Sequence, residues 1–438
     1  MTASPIDLSL LPSTAALSAD GRLSVGGCDL GGLADRFGTP LFVYDTEHLR
    51  RRCREYVQAF DGASVAYAGK AFLCRAMVRL VAEEGLHLDV ATGGELHVAL
   101  SAGFPAGRIV LHGNNKSEEE LAGALAARVG RVVADSFDEL DRIEALVKGG
   151  RPAPQVLVRV TPGVEAHTHE YIETGVEDTK FGFPVRSGDA LEAARRVAAS
   201  PHMSLAGLHC HIGSQIFVLG SYARAAEVVV RLAAEVAAAT GSPVGELNLG
   251  GGLGVAYQAT DRPPAVAEYA AGLRTALAAA AAEAGLRPVP ALFVEPGRSI
   301  AAAAGLTLYR VGTIKEIAGV RTYVAVDGGM SDNPRPATYG ARYEVFDPTR
   351  AGEPRPLVAT VAGKHCEQGD LLVRDASLPT GLAVGDLLCT PATGAYGYAM
   401  ASNYNKVPRP AVVFVGGGEA REVVRRETLD DLLALEVD

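Results

Sequence analysis

The chain has 438 residues, enough for two or three domains at about 150 residues each, and a formal net charge of −10 from 41 Lys+Arg against 51 Asp+Glu, a balance that argues against a nucleic-acid or anionic-membrane partner. Its composition, 48% hydrophobic and 21% charged, excludes a disordered chain, and the longest apolar run, from Ala276 to Ala282, falls far short of the ~20 residues of a membrane span. Six cysteines without CxxC spacing give neither a disulfide scaffold nor a zinc site, and Met1 to Asp20 carries no secretory pattern, so the expectation is a cytoplasmic protein with no metal.

In chain order, Pro40-Leu-Phe-Val-Tyr44 reads as a strand, with Asp45 as N-cap of the first helix. Eight short strand-like runs follow: 64–67, 86–90, 108–111, 131–134, 156–160, 205–208, 246–249 and 291–294. Several are nearly all apolar, as parallel strands covered on both faces are. Between them lie alanine-rich helical segments such as 221–240 and 266–285, the second stopped by Gly285. Eight strand–helix units fit an α/β (β/α)8 TIM barrel over residues 46–300, with an open doubly wound sheet as the alternative. After Gly297 the rhythm changes to strands at 306–316, 321–326, 357–361, 371–374, 386–390 and 411–415 without long helices between them. Residues 301–438 therefore read as an all-β domain, which also takes in the N-terminal segment 1–45.

Reactive residues cluster just after the predicted strands, where the C-terminal ends of barrel strands form one face. In order these are Tyr67-Ala-Gly-Lys70, Asp89 with Thr92-Gly-Gly-Glu95, His112-Gly-Asn-Asn-Lys116, Asp135-Ser136, Arg159, His209-Cys-His211-Ile-Gly-Ser214, Gly250-Gly-Gly-Leu-Gly254 and Glu295-Pro-Gly-Arg298. A lone glycine run is more often a plain turn. Here it follows the seventh strand, opens toward a helical stretch and has Arg298 and Ser214 on neighbouring loops, which suits a phosphate. Lys70 could be a surface lysine, but at a strand end beside a phosphate site it could form a Schiff base, its pKa lowered by burial and cationic neighbours. Glu295 could merely cap its loop, or pair with a pyridine nitrogen and make the ring an electron sink. With Lys70 and the phosphate loop it points to pyridoxal 5'-phosphate. His211 could stack on that ring. In the β domain, Arg335 suits a carboxylate, Cys366 sits among Lys364, His365, Glu367 and Asp370 in a polar turn, and Tyr396 offers a phenol.

These residues resemble those of the diaminopimelate decarboxylase family, within the alanine-racemase-like (fold type III) pyridoxal-phosphate enzymes. The likeness runs from about Gly38 to the C-terminus. It is carried by Tyr67-Ala-Gly-Lys70-Ala, Asp89-Val-Ala-Thr-Gly-Gly-Glu95, His112-Gly-Asn-Asn-Lys116, Gly163-Val-Glu-Ala-His-Thr-His169, Gly207-Leu-His-Cys-His211-Ile-Gly-Ser-Gln215, Glu295-Pro-Gly-Arg298, Asp327-Gly-Gly-Met-Ser-Asp332 and Lys364-His-Cys366-Glu367. The segments around His112, His167 and Lys364 look specific to this branch. Gln368 stands where the family has a small residue, and Gly69 fills a loosely specified position.

The resemblance implies that Lys70 holds the cofactor covalently, His211 stacks on its ring and Glu295 pairs with the ring nitrogen. Asp89, Ser214, Gly251, Gly252, Gly297, Arg298 and Tyr396 would complete the cofactor site. Arg298, Arg335, Tyr339, Glu367 and Tyr396 would bind substrate. Lys70, Cys366 and His211 would be catalytic, with Cys366 as the acid that protonates Cα. It also implies a homodimer in which Cys366 and Glu367 cross the interface. The expected reaction is decarboxylation of meso-2,6-diaminopimelate at its D-centre to L-lysine, the last step of lysine biosynthesis. The alternatives are decarboxylation of ornithine, arginine or carboxynorspermidine, a catalytically silent cofactor-binding homologue, and a Schiff-base aldolase without pyridoxal phosphate.

Overall fold

The computed structural model describes residues 6–164 and 179–437. Of the segment Gly163 to His169, the part from Glu165 onward lies outside the described residues. The chain groups into two units, one formed by 52–254 and 263–299, the other by 1–51, 255–262 and 300–438. The excursion 255–262 thus groups with the second unit, although it follows the seventh strand of the first.

Among its described residues the first unit builds a ring of eight parallel strands, Ser64–Ala68, His87–Val90, Ile109–Leu111, Arg131–Ala134, Gln155–Thr161, Ser204–His209, Glu246–Asn248 and Ala291–Val294, and the two-residue strand Phe183–Pro184 adds beside the fifth. Each strand of the ring pairs with the next, and the eighth returns to the first through Phe293↔Ser64 and Val294↔Val65. That last ladder closes the sheet into a barrel and removes the open-sheet alternative, which patterning alone left standing. Ala66, Val110, Val133, Leu157, Ala206 and Phe293 form one buried apolar cluster contributed by six of the strands, the layered filling of such a barrel.

The loops at the strands' C-terminal ends are fixed by helix caps. Thr92 accepts from Glu95 N–H at 3.2 Å, and Glu95 in turn accepts from Ala91 N–H at 2.6 Å. Ser117 and Glu120 form a reciprocal capping box, and Glu120 also takes Gly93 N–H at 2.6 Å, tying two neighbouring loops together. Ser136 caps the helix Phe137–Lys148. The glycine run does not open a helix. The next helix, Val266–Glu283, starts twelve residues past Gly254, so the dipole expected at these glycines is absent from that source. Gly285 follows its end at φ +63°, the left-handed stop the sequence predicts.

In the second unit the thirteen-residue strand Gly305–Ile317 is the spine of the larger sheet. Its first part pairs antiparallel with Leu41–Asp45 and Leu387–Pro391, and its second part with Arg321–Val326. Leu41–Asp45 pairs on its other side with Ala411–Gly416, in parallel. The N-terminal strand is therefore interior to the sheet, and all five of its residues are buried. Asp45 then caps the helix Thr46–Ala59, its Oδ1 accepting from Glu47 and His48 N–H at 2.9 and 3.1 Å.

Candidate active site

Lys70 lies one turn beyond the first barrel strand, in the short 3-10 turn Gly69–Ala71. Its side chain is 46% exposed and its Nζ lies 4.0 Å from Asp89 Oδ2. Gly69 is less loosely specified than the sequence suggests, since a Cβ there would meet Asp89 O at 2.9 Å. Asp89 is buried, and burial pushes its carboxyl above the ordinary range. Its Oδ1 stands 3.7 Å from His112 Nε2, which donates to Glu295 Oε1 at 2.8 Å.

Glu295, buried just after the eighth strand, is the centre of this face. Asn248 Nδ2–H donates to its Oε1 at 2.7 Å and His209 Nε2–H to its Oε2 at 3.1 Å. Burial alone would raise its carboxyl, but the facing imidazoles of His112 and His209 outweigh that and hold it well below the usual carboxylate range. Glu295 is therefore ionised. Sequence reasoning placed His112 and His209 among the reactive residues without giving either a role, and it missed Asn248, whose signal was a polar residue at the end of a barrel strand.

His211 accepts Gly251 N–H on Nδ1 at 3.3 Å. Burial and then the Lys70 charge depress its pKa well below that of a free imidazole, so the ring is neutral, as a stacking role requires. Arg298 donates from Nε and Nη2 to Ser214 Oγ at 3.1 and 2.9 Å. The glycines are demanded by close approach. A side chain on Gly251 would overlap the backbone O of Glu295, one on Gly252 (φ +100°) would overlap that of Gly213, and one on Gly297 would meet Ala68 Cβ at 2.9 Å. An anion cradle of bare backbone beside an arginine–serine pair, an exposed amine and an ionised buried acid matches the donor set pyridoxal phosphate requires.

Below this face, Lys116 is buried with Glu139 at 2.6 Å and donates to Gly113 O and Val133 O, which anchors the His112–Lys116 loop. Arg159 is buried too, 3.5 Å from Asp135 Oδ2 and over the Phe181 ring.

In the second unit Arg335 is buried, its guanidinium 4.6 Å from the Tyr257 ring centroid and 5.6 Å from that of Tyr343, and it donates to the Tyr343 hydroxyl. Tyr257 comes from the excursion 255–262. Tyr339 ends the short helix Arg335–Tyr339, and Tyr396 sits half-buried at φ +61°. Cys366 is exposed, in agreement with its polar setting, and its N–H donates to Asn405 Oδ1 at 3.1 Å. Tyr404 OH donates to Glu367 Oε2 at 3.4 Å. The Cys366 loop is held by Asp370, which accepts from Met330 and His365 N–H at 2.7 and 2.9 Å.

Residues 46–302 match the family model of the pyridoxal-dependent decarboxylase, pyridoxal binding domain. The chain is 51% identical over 426 residues to a diaminopimelate decarboxylase of Mycobacterium tuberculosis, covering 95% of each chain, and 49% identical over 431 residues to that of Bacillus subtilis, covering 98% of each. The crystal structure of a diaminopimelate decarboxylase from M. jannaschii in complex with L-lysine superposes with a TM-score of 0.90 at 34% identity, over 98% of each chain. Among the described residues no helix is long and apolar enough to cross a membrane. The chain belongs to the pyridoxal-phosphate-dependent decarboxylases, and within them to the diaminopimelate decarboxylase family.

Proposed function

We propose that the protein removes the carboxylate at the D-centre of meso-2,6-diaminopimelate, releasing carbon dioxide and L-lysine, with pyridoxal 5'-phosphate at the barrel face. When bound, that group supplies an aldehyde for amine capture and a ring that accepts the electron pair left behind by carbon dioxide. The observation that carries the reading is the ionised, buried Glu295 on the same face as Lys70 and the Arg298–Ser214 pair. An acid that keeps its negative charge holds a proton on a facing pyridine nitrogen, which is what loss of a carboxylate requires and what a racemase avoids.

Each residue then has a task. Lys70 would hold the cofactor through its amine. His211, kept neutral and oriented by Gly251 N–H, covers the ring. Ser214, Arg298 and the backbone of Gly251, Gly252 and Gly297 would bind the phosphate, Tyr396 would offer its phenol to the cofactor, and Asp89 would orient Lys70. Arg335, Arg298, Tyr339 and Glu367 recognise the distal amino-acid end of the substrate, the arginines its carboxylate and Glu367 its ammonium. Cys366, exposed on its stapled loop, delivers the proton to Cα. A homodimer in which a second copy presents Cys366 and Glu367 fits their exposure.

The test is carbon dioxide release from the meso, LL and DD isomers of diaminopimelate and from ornithine, with Lys70→Ala as control. The meso isomer should react, at a rate far above ornithine. Comparable turnover of ornithine defeats the substrate assignment.

A further inference from the structure

A carboxylate offers about four acceptor positions, and in Glu295 three are filled by named side chains. Oε1 takes His112 Nε2–H and Asn248 Nδ2–H, and Oε2 takes His209 Nε2–H. All four residues are buried. The donors are themselves oriented. Gly250 N–H donates to Asn248 Oδ1 at 3.0 Å, which turns the amide nitrogen toward Glu295. His112 Nε2 faces two carboxylates, Glu295 at 2.8 Å and Asp89 at 3.7 Å, so it must carry a proton. Among the described residues His209 Nδ1 is buried without a hydrogen-bond partner, so the single proton of a neutral ring belongs on Nε2. Burial drives His209 down to about 4, so it donates without bringing a charge.

Asn248 and the neutral ring of His209 fix the carboxylate as donors without cancelling its charge, and His112, facing both acids, favours the charged form of Glu295. The other charged groups around it are Asp89, raised by burial, Lys70 beside Asp89, and Arg159 engaged near Asp135. We propose that His112, His209 and Asn248 are positioning residues that fix Glu295 as an anion with its fourth acceptor position, on Oε2, directed to the ring-nitrogen proton of the cofactor. The inference rests on the cofactor reading above and adds to it which groups sustain the acid and which oxygen it uses.

The experiment reconstitutes the enzyme with pyridoxal phosphate carrying nitrogen-15 in its ring and follows the ring-nitrogen resonance from mildly acidic to alkaline pH. The wild type is compared with His209→Gln, His209→Leu and Asn248→Leu, and circular dichroism confirms folding. The ring nitrogen should stay protonated throughout in the wild type and in His209→Gln, whose amide replaces the Nε2 donor. In the leucine variants it should lose its proton within the range, and kcat should fall roughly tenfold for each donor lost, with KM nearly unchanged. If the leucine variants hold the proton as the wild type does, or if glutamine loses as much as leucine, the proposal is overturned. Should His209→Leu not fold, Asn248→Leu decides by the same resonance. Carbon dioxide release by the wild type tests the underlying reading separately. An inactive wild type with a permanently protonated ring nitrogen would sink that reading and leave this one standing.

Discussion

The barrel face and the loops of the β unit both bury carboxylates, yet they put them to opposite use. Glu295 collects three side-chain donors and is held ionised. Asp332 receives one phenol, Tyr309 OH at 2.6 Å, and one backbone N–H, from Gly329 at 2.8 Å. Burial, with Asp327 and Asp370 nearby, pushes it up to about 7. The neighbours decide the outcome: the facing imidazoles of His112 and His209 favour the charged form of Glu295 and offset the cost of removing it from water, whereas Asp332 has the acids Asp327 and Asp370 beside it. Asp332 staples its loops through one phenol and one backbone N–H, and the exposed thiol nearby, Cys366, is the one proposed above as the acid.

Four measurements would break or sharpen this contrast. The largest effect belongs to Lys70→Ala, which should abolish carbon dioxide release and the covalent absorbance of the bound cofactor while leaving the fold intact by circular dichroism. Next comes Cys366→Ala, which should lower kcat by roughly 10²- to 10⁴-fold as loss of a proton donor. Because the thiol is exposed, its thermal midpoint should match the wild type, and a large drop there would make the loop structural after all.

Arg335→Met should cost roughly tenfold or more in kcat/KM for diaminopimelate, the worth of hydrogen bonds to a charged group, and should narrow the discrimination against ornithine. Steady-state kinetics on both substrates reads this directly.

The smallest effect is on stability, and it has opposite signs in the two units. His209 has a folded pKa near 4, below its unfolded value near 6.5. The unfolded state therefore binds the extra proton between these values, and stability rises with pH across that window. Asp332 is raised from 3.8 to about 7, so its contribution is complete below the unfolded value and is lost as pH climbs through 7. Each slope is at most about 1.4 kcal/mol per pH unit. Denaturant melts against pH should show the first slope flattened in His209→Gln and the second in Asp332→Asn. Unchanged slopes would mean the two carboxylate environments do not differ as described.

Much of this architecture was legible from local pattern. Strand runs such as Ala291–Val294 are apolar between turn residues, Gly285 stops its helix, and the positions of Lys70, His211, Ser214, Glu295 and Arg298 after successive strands follow from chain order. Closure of the barrel was not legible, because the Phe293↔Ser64 ladder joins residues more than two hundred positions apart. Separation along the chain also hid His112, which lies 183 positions before Glu295, whereas Asn248 sits on the adjacent strand only 47 positions away. Nor did the glycine run announce that the chain would leave toward the β unit before helix Val266–Glu283, which is why Tyr257 beside Arg335 had no sequence signal.

The placement of Leu41–Asp45 inside the sheet of the β unit, between Gly305–Ile317 and Ala411–Gly416, sets a schedule for biosynthesis. A nascent chain emerges N-terminus first, so this strand waits through the whole barrel before either neighbour exists. Ribosome-bound intermediates of this enzyme must shelter the run Leu41-Phe-Val-Tyr44 for most of translation. A gene split after the barrel would yield a C-terminal piece whose sheet has a gap at its centre, recoverable only by co-expression with the piece that carries the missing strand.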